Sequence, residues 1–252
     1  MTTANVPASP RVATYDYALF GAVEIKPLNT IRKVIAARLQ ASWTNVPHVA
    51  HFDEVDITTL EALRRQLRPQ AEHAGGRLTA LAFIIKACGL ALKAFPDFNA
   101  SLDETGHNLV LKKYCHIAFA VDTPDGLLAP VIRDIDKKSV FDIAEAVITL
   151  SEKARTKRLA FSDVEGGCFS VTNLGKLGGT GFVPIINAPE VAILGVGRAA
   201  PKPMVGPDGA IAPKLMMPLS LVYDHRVVDG AAAGRFMEFL CDKLTAPRVV
   251  AA

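Results

Sequence analysis

Apolar positions along the chain change period from segment to segment. From Asn29 to Trp43 they recur at Ile31, Val34, Ile35 and Leu39, the three-and-four spacing of one helix face. Residues 46–56, "VPHVAHFDEVD", follow an opening proline and alternate loosely, which predicts a strand. Thr58 and Glu61 have the spacing of a capping box, ahead of a helix carrying Leu60, Leu63 and Leu67. Pro69 is expected to kink or end the first part of that helix. Thr79 to Phe95 is apolar on nearly every face and predicts a central helix. "HIAFAVDTPDGLLAPVIRD" reads as strand, Pro-Asp-Gly turn and strand. Ser139 and Asp142 cap a long amphipathic helix that runs to about Arg158. The runs "GCFSVTN", "EVAILGVG" and "LMMPLSLVY" predict three short strands, and a last helix runs from about Gly230 to Leu244. Helices and strands mix without strict alternation, which implies an α/β fold with a largely mixed sheet.

Residues 1–18, "MTTANVPASPRVATYDYA", are rich in Ala, Thr, Pro and Ser and lack periodicity, as expected of an extended arm or linker remnant. From Val23 onward no polar low-complexity stretch divides the chain, so residues 19–252 are read as one domain. Lys and Arg number 28 against 25 Asp and Glu, a net charge of +3, which implies neither a nucleic-acid nor an anionic-membrane partner. The longest apolar stretches, such as "LTALAFIIKACGLAL", are too short and interrupted to span a bilayer, and the N-terminus lacks a signal-peptide layout. Cys88, Cys115, Cys168 and Cys241 form no CxxC pair and read as reduced thiols of a cytoplasmic protein, with no disulfide framework and no zinc site.

Candidate chemistry concentrates near the C-terminus. In "LSLVYDHRVVDGAAAGRF", Leu219 to Phe236, a strand-like run ends at His225, and Asp229 follows four residues later. Taken singly, these are a core histidine and the N-cap of the helix opening at Gly230. At a strand end, however, the side chain is presented at the sheet edge, where α/β folds bind ligands. A histidine there can take a proton and return it within one turnover. Within "GGCFSVTNLGKLGGTGF", Gly166 to Phe182, the glycines match neither GxxxxGK[ST] nor a GxGxxG opening a helix, and read as a turn between strands. Thr172 ends its strand; its hydroxyl is either structural or a donor to charge developing on a substrate oxygen. The two histidines of "PHVAH", three apart in a strand, fall on opposite faces and do not share a metal. His73, His107 and His116 have no recognisable partner set, and the basic run Lys153 to Arg158 reads as a solvated helix end.

Four blocks, "NVPHVAHFDEVDIT", "HIAFAVDTPDGLLAPVIRDID", "FSVTNLGKLGGTGFVPIINAPEVAILGVGR" and "LMMPLSLVYDHRVVDGA", occur in order. Together they resemble the catalytic core of the dihydrolipoyl acyltransferases of 2-oxo acid dehydrogenase complexes, with the greatest likeness to the acetyltransferases of bacterial pyruvate dehydrogenase. The resemblance runs from about residue 15 to the C-terminus. It implies the fold of chloramphenicol acetyltransferase, a two-layer α/β sandwich forming trimers. It assigns His225 as the general base that removes the proton from the thiol of coenzyme A, and the hydroxyl of Thr172 as the donor to the tetrahedral oxyanion. Acetyltransferases of this family usually carry serine where this chain has Thr172; the hydroxyl is kept and the added methyl narrows the site. The resemblance assigns Asp229 to holding the histidine loop and capping the following helix, with Arg32 or Arg38 as candidate counter-ions.

The resemblance also sets the expectations about assembly. His225 comes from one subunit and Thr172 from its neighbour, in a channel between them. Trimers build a cubic 24-mer or a dodecahedral 60-mer. Coenzyme A is a substrate, no metal is used, and the lipoyl group arrives on a separate lipoyl domain. The decarboxylase and dihydrolipoyl dehydrogenase components bind through segments absent from this sequence, which reads as a catalytic core alone. Lys176, Arg198 and Lys202 are candidates for the coenzyme A phosphates. The alternatives to acetyl transfer are succinyl or branched-chain acyl transfer on the same fold, a non-catalytic scaffold core, and a small-molecule acetyltransferase.

Overall fold

The structure, a computed structural model, describes residues 15–73, 77–175 and 178–251 of the 252-residue chain. A short turn at Tyr17–Phe20 and an extended segment lead into α1 (Thr30–Asn45), β1 (His48–Asp56), α2 (Thr58–His73) and α3 (Ala80–Ala94). Short strands follow: β2 (Ala100–Leu102), β3 (Leu109–Leu111), β4 (Ile117–Phe119), β5 (Val121–Thr123), β6 (Gly126–Leu128) and β7 (Val131–Ile132). Then come α4 (Val140–Arg155), β8 (Phe169–Asn173), β9 (Ala192–Val196), β10 (Ala200–Val205), β11 (Ile211–Asp224), α5 (Gly230–Thr245) and α6 (Arg248–Ala251).

The helix starts follow local chemistry. The Asn29 side chain accepts from the Arg32 N–H at 2.8 Å, and Ser139 with Asp142 makes the reciprocal capping box the sequence predicts. The start of α2 differs from expectation. Thr58 is already helical, and Asp56 Oδ1 accepts from its N–H at 2.9 Å and its hydroxyl at 2.5 Å. Glu61 turns instead to Arg64 at 2.7 Å and Arg65 at 2.9 Å, since two guanidinium partners one turn along outcompete a backbone N–H that Asp56 already serves. The helix also runs unbroken through Pro69 to His73.

Seven strands form one mixed sheet in the order β1-β11-β9-β8-β4-β7, with β10 pairing to the first half of β11. The β4–β8 and β8–β9 pairs are parallel and the others antiparallel. The strands predicted from the sequence do not include β10, which carries Pro201 and Pro203. They are tolerated because β10 is an edge strand, paired only with β11, where a missing N–H breaks no second ladder.

Alternation gives the sheet two chemically distinct faces. Phe169, Val171, Leu194, Leu219 and Leu221 point to a core shared with α3, α4 and α5, where Phe83, Phe98 and Phe236 are fully buried. Ser170, Thr172, Ile193, Gly195, Ser220 and Val222 point the other way, so this face carries the small and hydroxylic side chains. Ahead of α1, Tyr17, Leu19, Phe20 and Ile25 are exposed, Ile25 at 91%.

Candidate active site

Thr172 lies in the wall of a cavity of about 620 Å³ on the second face of the sheet. The apolar stripe of α1 predicted from the sequence, Ile31, Val34, Ile35 and Leu39, forms one side of this cavity and is not part of the core. Leu127 and Leu128 of β6 close another side, and Phe182, Pro184 and Ile185 a third. Phe182 seats on the sheet only because Gly195 has no side chain; a Cβ there would stand 3.0 Å from the ring. Gly178 and Gly179 take left-handed backbone angles, φ 98° and 88°, in the glycine-rich turn that brings Phe182 back across β9. Thr30, Arg38, Ser170, Thr172 and Asn187 supply polar groups to an otherwise apolar lining.

His225 sits just past the end of β11, exposed, with its N–H donating to the Pro47 carbonyl at 3.1 Å. Its neighbour Asp224 fixes the turn that carries it. Asp224 is 3% exposed, and Arg226 grips both of its carboxylate oxygens, Nε to Oδ1 at 2.9 Å and Nη2 to Oδ2 at 2.6 Å. The Asp224 carbonyl also accepts from the N–H groups of Val227 and Val228, each at 3.0 Å. The carboxylate beside Arg226 raises the pKa of that guanidinium further. The turn ends at Asp229, which caps α5 by accepting from the Ala232 N–H at 2.7 Å. Asp229 makes no hydrogen bond to His225, and neither Arg32 nor Arg38 pairs with it within the protomer. Of the other histidines, His48 and His51 lie on opposite faces of β1, as predicted. His48 Nδ1 donates to the Val46 carbonyl at 2.7 Å while Nε2 accepts from the Ile186 N–H at 3.0 Å, which fixes its tautomer and ties β1 to the segment bordering the cavity.

The register measures how far apart the two groups lie. Thr172 pairs with Gly195, and Gly195 with Ser220, so His225 is two strands across and five residues along. At about 3.3 Å per residue and 4.8 Å per strand, the two Cα atoms are about 19 Å apart. No pair of side chains closes that gap.

The phosphate candidates fall elsewhere. Lys176 lies outside the described residues. Arg198 is exposed, and Lys202 is ion-paired with Glu54; neither lines the Thr172 cavity. A charged group the sequence reading passed over is Glu190. It is 4% exposed, and burial pushes its pKa up to about 7. Asn187 Nδ2 donates to Oε1 at 3.4 Å, while Oε2 has no partner. The signal was present as a lone carboxylate at the head of the apolar run "EVAILGVG". Among the described residues, no group of three or more His, Cys, Asp and Glu side chains could hold a metal ion, and no helix is long and apolar enough to cross a membrane.

Residues 21–252 match the family described as 2-oxoacid dehydrogenases acyltransferase (catalytic domain). The chain belongs to this family. Among its acyltransferase relatives, the dihydrolipoyllysine-residue acetyltransferase component of pyruvate dehydrogenase complex from Pseudomonas aeruginosa is 52% identical over 242 residues, 96% of this chain and 43% of that protein. The chain thus spans less than half the length of that acyltransferase relative. Solved structures of dihydrolipoamide acetyltransferase from Azotobacter vinelandii and of the cubic core of the pyruvate dehydrogenase multienzyme complex are each 48% identical. Each superposes with a TM-score of 0.94, covering 97% of this chain and 100% of the other. Chloramphenicol acetyltransferase, at 17% identity and a TM-score of 0.53 over 82% of this chain and 93% of its own, shares the fold. The acyltransferase family and the two-layer α/β architecture expected from the sequence are therefore both found.

Proposed function

We propose that residues 19–252 form an acyltransferase domain that moves an acetyl group between S-acetyl-dihydrolipoamide and coenzyme A. The observation that carries the reading is the hydroxyl of Thr172 in the wall of an apolar cavity of about 620 Å³, on the sheet edge opposite a histidine held in a fixed, outward-facing turn. His225 Nε2 or Nδ1 takes the proton of the coenzyme A thiol. The thiolate attacks the thioester carbonyl, and a tetrahedral oxyanion forms. The Thr172 hydroxyl donates to that oxyanion, a contribution of roughly 3 kcal/mol for a single donor. Collapse expels dihydrolipoamide, whose sulfur takes the proton back from the imidazolium. The long, thin pantetheine and lipoamide arms suit a narrow apolar cavity with a few hydroxyl and amide groups in its floor.

The Azotobacter acetyltransferase was investigated for the roles of a serine, a histidine and an asparagine in its mechanism. This chain offers Thr172, His225 and Asp229 for the corresponding chemistry. Because Thr172 and His225 cannot meet within a protomer, the site forms between neighbours of a trimer, and the exposed side chains from Tyr17 to Ile25 supply apolar surface for subunit contacts. The likeness to a cubic core favours a cubic shell over a dodecahedral one. The lipoyl group arrives on a lipoyl domain, and the decarboxylase and dihydrolipoyl dehydrogenase components are the partners of the complex. The test is coenzyme A-dependent acetyl transfer from S-acetyl-dihydrolipoamide by the purified chain, with succinyl donors in competition and His225→Ala as control. Transfer that His225→Ala abolishes is expected; equal transfer by both proteins would refute the assignment.

A further inference from the structure

The transfer scheme leaves one buried ionisable group beside the cavity unused. Glu190 follows the tight turn 187–190, in which its N–H donates to the Asn187 carbonyl at 3.1 Å. Its carboxyl packs so closely over Gly167 that a Cβ there would come within 2.7 Å of Oε1. On the cavity side it meets Ser170 and Asn187, both of which line the Thr172 cavity. Burial raises the carboxyl's pKa against the opposing pull of the Ser170 hydroxyl and the Asn187 amide, yet neither Ser170 Oγ nor Glu190 Oε2 has a partner at full hydrogen-bond geometry, and both are buried. The ionisable groups facing the carboxyl are the Lys112 ammonium and the Cys168 thiol. Lys112 donates to the Ala100 carbonyl at 3.2 Å and forms no ion pair with Glu190. Cys168 is buried, and burial raises its thiol pKa, which keeps it neutral. Ionised, Glu190 is a buried anion without an ion-pair partner. Neutral, it is a hydrogen-bond donor next to a hydroxyl that lacks one.

We propose, on the acyl-transfer reading above, that Glu190 is a positioning residue of the transfer site that works in its neutral form: the protonated carboxyl braces the Ser170–Thr172 stretch and the Asn187 amide, and its ionisation opposes the oxyanion formed at Thr172. Ser170 and Thr172 point to the same face two residues apart, about 7 Å. The carboxyl meets Ser170, so adding a side chain's reach to that strand spacing puts a negative charge on it on the order of 10 Å from an oxyanion at Thr172. At an effective dielectric of about 20, that repulsion slows oxyanion formation roughly tenfold. With the carboxyl titrating at about 7, the penalty sets in across neutral pH and is nearly complete by about pH 8.5.

The experiment compares kcat at about pH 8.5 and pH 6.5 for the unaltered chain and for Glu190→Gln, which keeps the shape and cannot ionise. The ratio of the two rates within each protein is expected to be roughly tenfold higher in Glu190→Gln. Equal ratios in the two proteins overturn the proposal. Difference infrared spectroscopy gives a second readout that does not depend on the variant's turnover. The unaltered protein is expected to have a protonated-carboxyl C=O band at pH 6.5 that disappears by about pH 8.5 and is missing in Glu190→Gln. A carboxylate already ionised at pH 6.5 overturns the proposal too. No transfer by the unaltered chain at any pH instead overturns the acyltransferase reading, and the role of Glu190 falls with it.

Discussion

Replacing Asp229 separates two roles that a carboxylate four residues after His225 can have. As a relay partner of the imidazole, its charge is essential. As an N-cap, only its hydrogen-bond acceptor matters. The structure favours the cap: Oδ1 accepts from the Ala232 N–H at 2.7 Å, and α5 then buries Phe236, Met237 and Leu240 in the core. Asparagine caps as well as aspartate, so Asp229→Asn loses only the charge–dipole contribution, about 0.3–1 kcal/mol. Asp229→Ala loses the cap, about 1 kcal/mol, which for a chain of this size lowers the apparent Tm by about 2–4 °C. Turnover by Asp229→Asn is expected to stay within about threefold of the unaltered protein, whereas His225→Ala loses roughly a hundredfold or more. Steady-state transfer assays beside thermal unfolding check both numbers. An Asp229→Asn protein with intact Tm that is as inactive as His225→Ala would refute the reasoning.

The remaining predictions concern the cavity wall and the core. Thr172→Ala is expected to lower kcat roughly a hundredfold with little change in KM, measured against both substrates. The Glu190 carboxyl, raised from 4.5 to about 7 by burial, also makes stability depend on pH. Below about pH 4.5 folded and unfolded chains both hold this proton. As pH rises toward about 7 the unfolded chain releases it first, so the folded state loses about 3 kcal/mol relative to a Glu190→Gln variant. Denaturant unfolding at about pH 5 and pH 8 reads that difference, and parallel behaviour of the two proteins would contradict it. Phe236 is fully buried and stacks on Phe98 with ring centroids 4.2 Å apart, so Phe236→Ala is expected to cost about 3–5 kcal/mol in the same unfolding measurement.

Much of this architecture was legible in the residues, because its signals are local. The buried helix α3, the capping box at Ser139 and the strand ending before His225 each rest on spacing within a dozen positions. What escaped depended on neighbours distant in the chain. A strand holding two prolines, such as β10, is intelligible only once its edge position beside β11 is known. Glu61 fits a capping box until Arg64 and Arg65 are brought round the next turn. The stripe of Ile31, Val34, Ile35 and Leu39 marks a helix face correctly but does not say that the face borders a cavity. For the site, residue types picked out Thr172 and His225 singly. The pairing of Thr172 with Gly195 and Gly195 with Ser220 is what sets them at opposite sheet edges, and periodicity carries no such information. Glu190 went unnoticed because its meaning lies in Gly167, Ser170 and Asn187 closing around it.

The division of one active site between two protomers is most directly tested by assembling mixed particles. His225→Ala and Thr172→Ala proteins, each nearly inactive alone, are co-expressed in equal amounts so that they mix before assembly. If each site takes its imidazole from one subunit and its hydroxyl from the neighbour, about one site in four combines two intact groups, and about a quarter of the unaltered activity returns. If both groups act within a single protomer, every protomer lacks one of them. Activity no greater than that of the two parent variants would contradict the account.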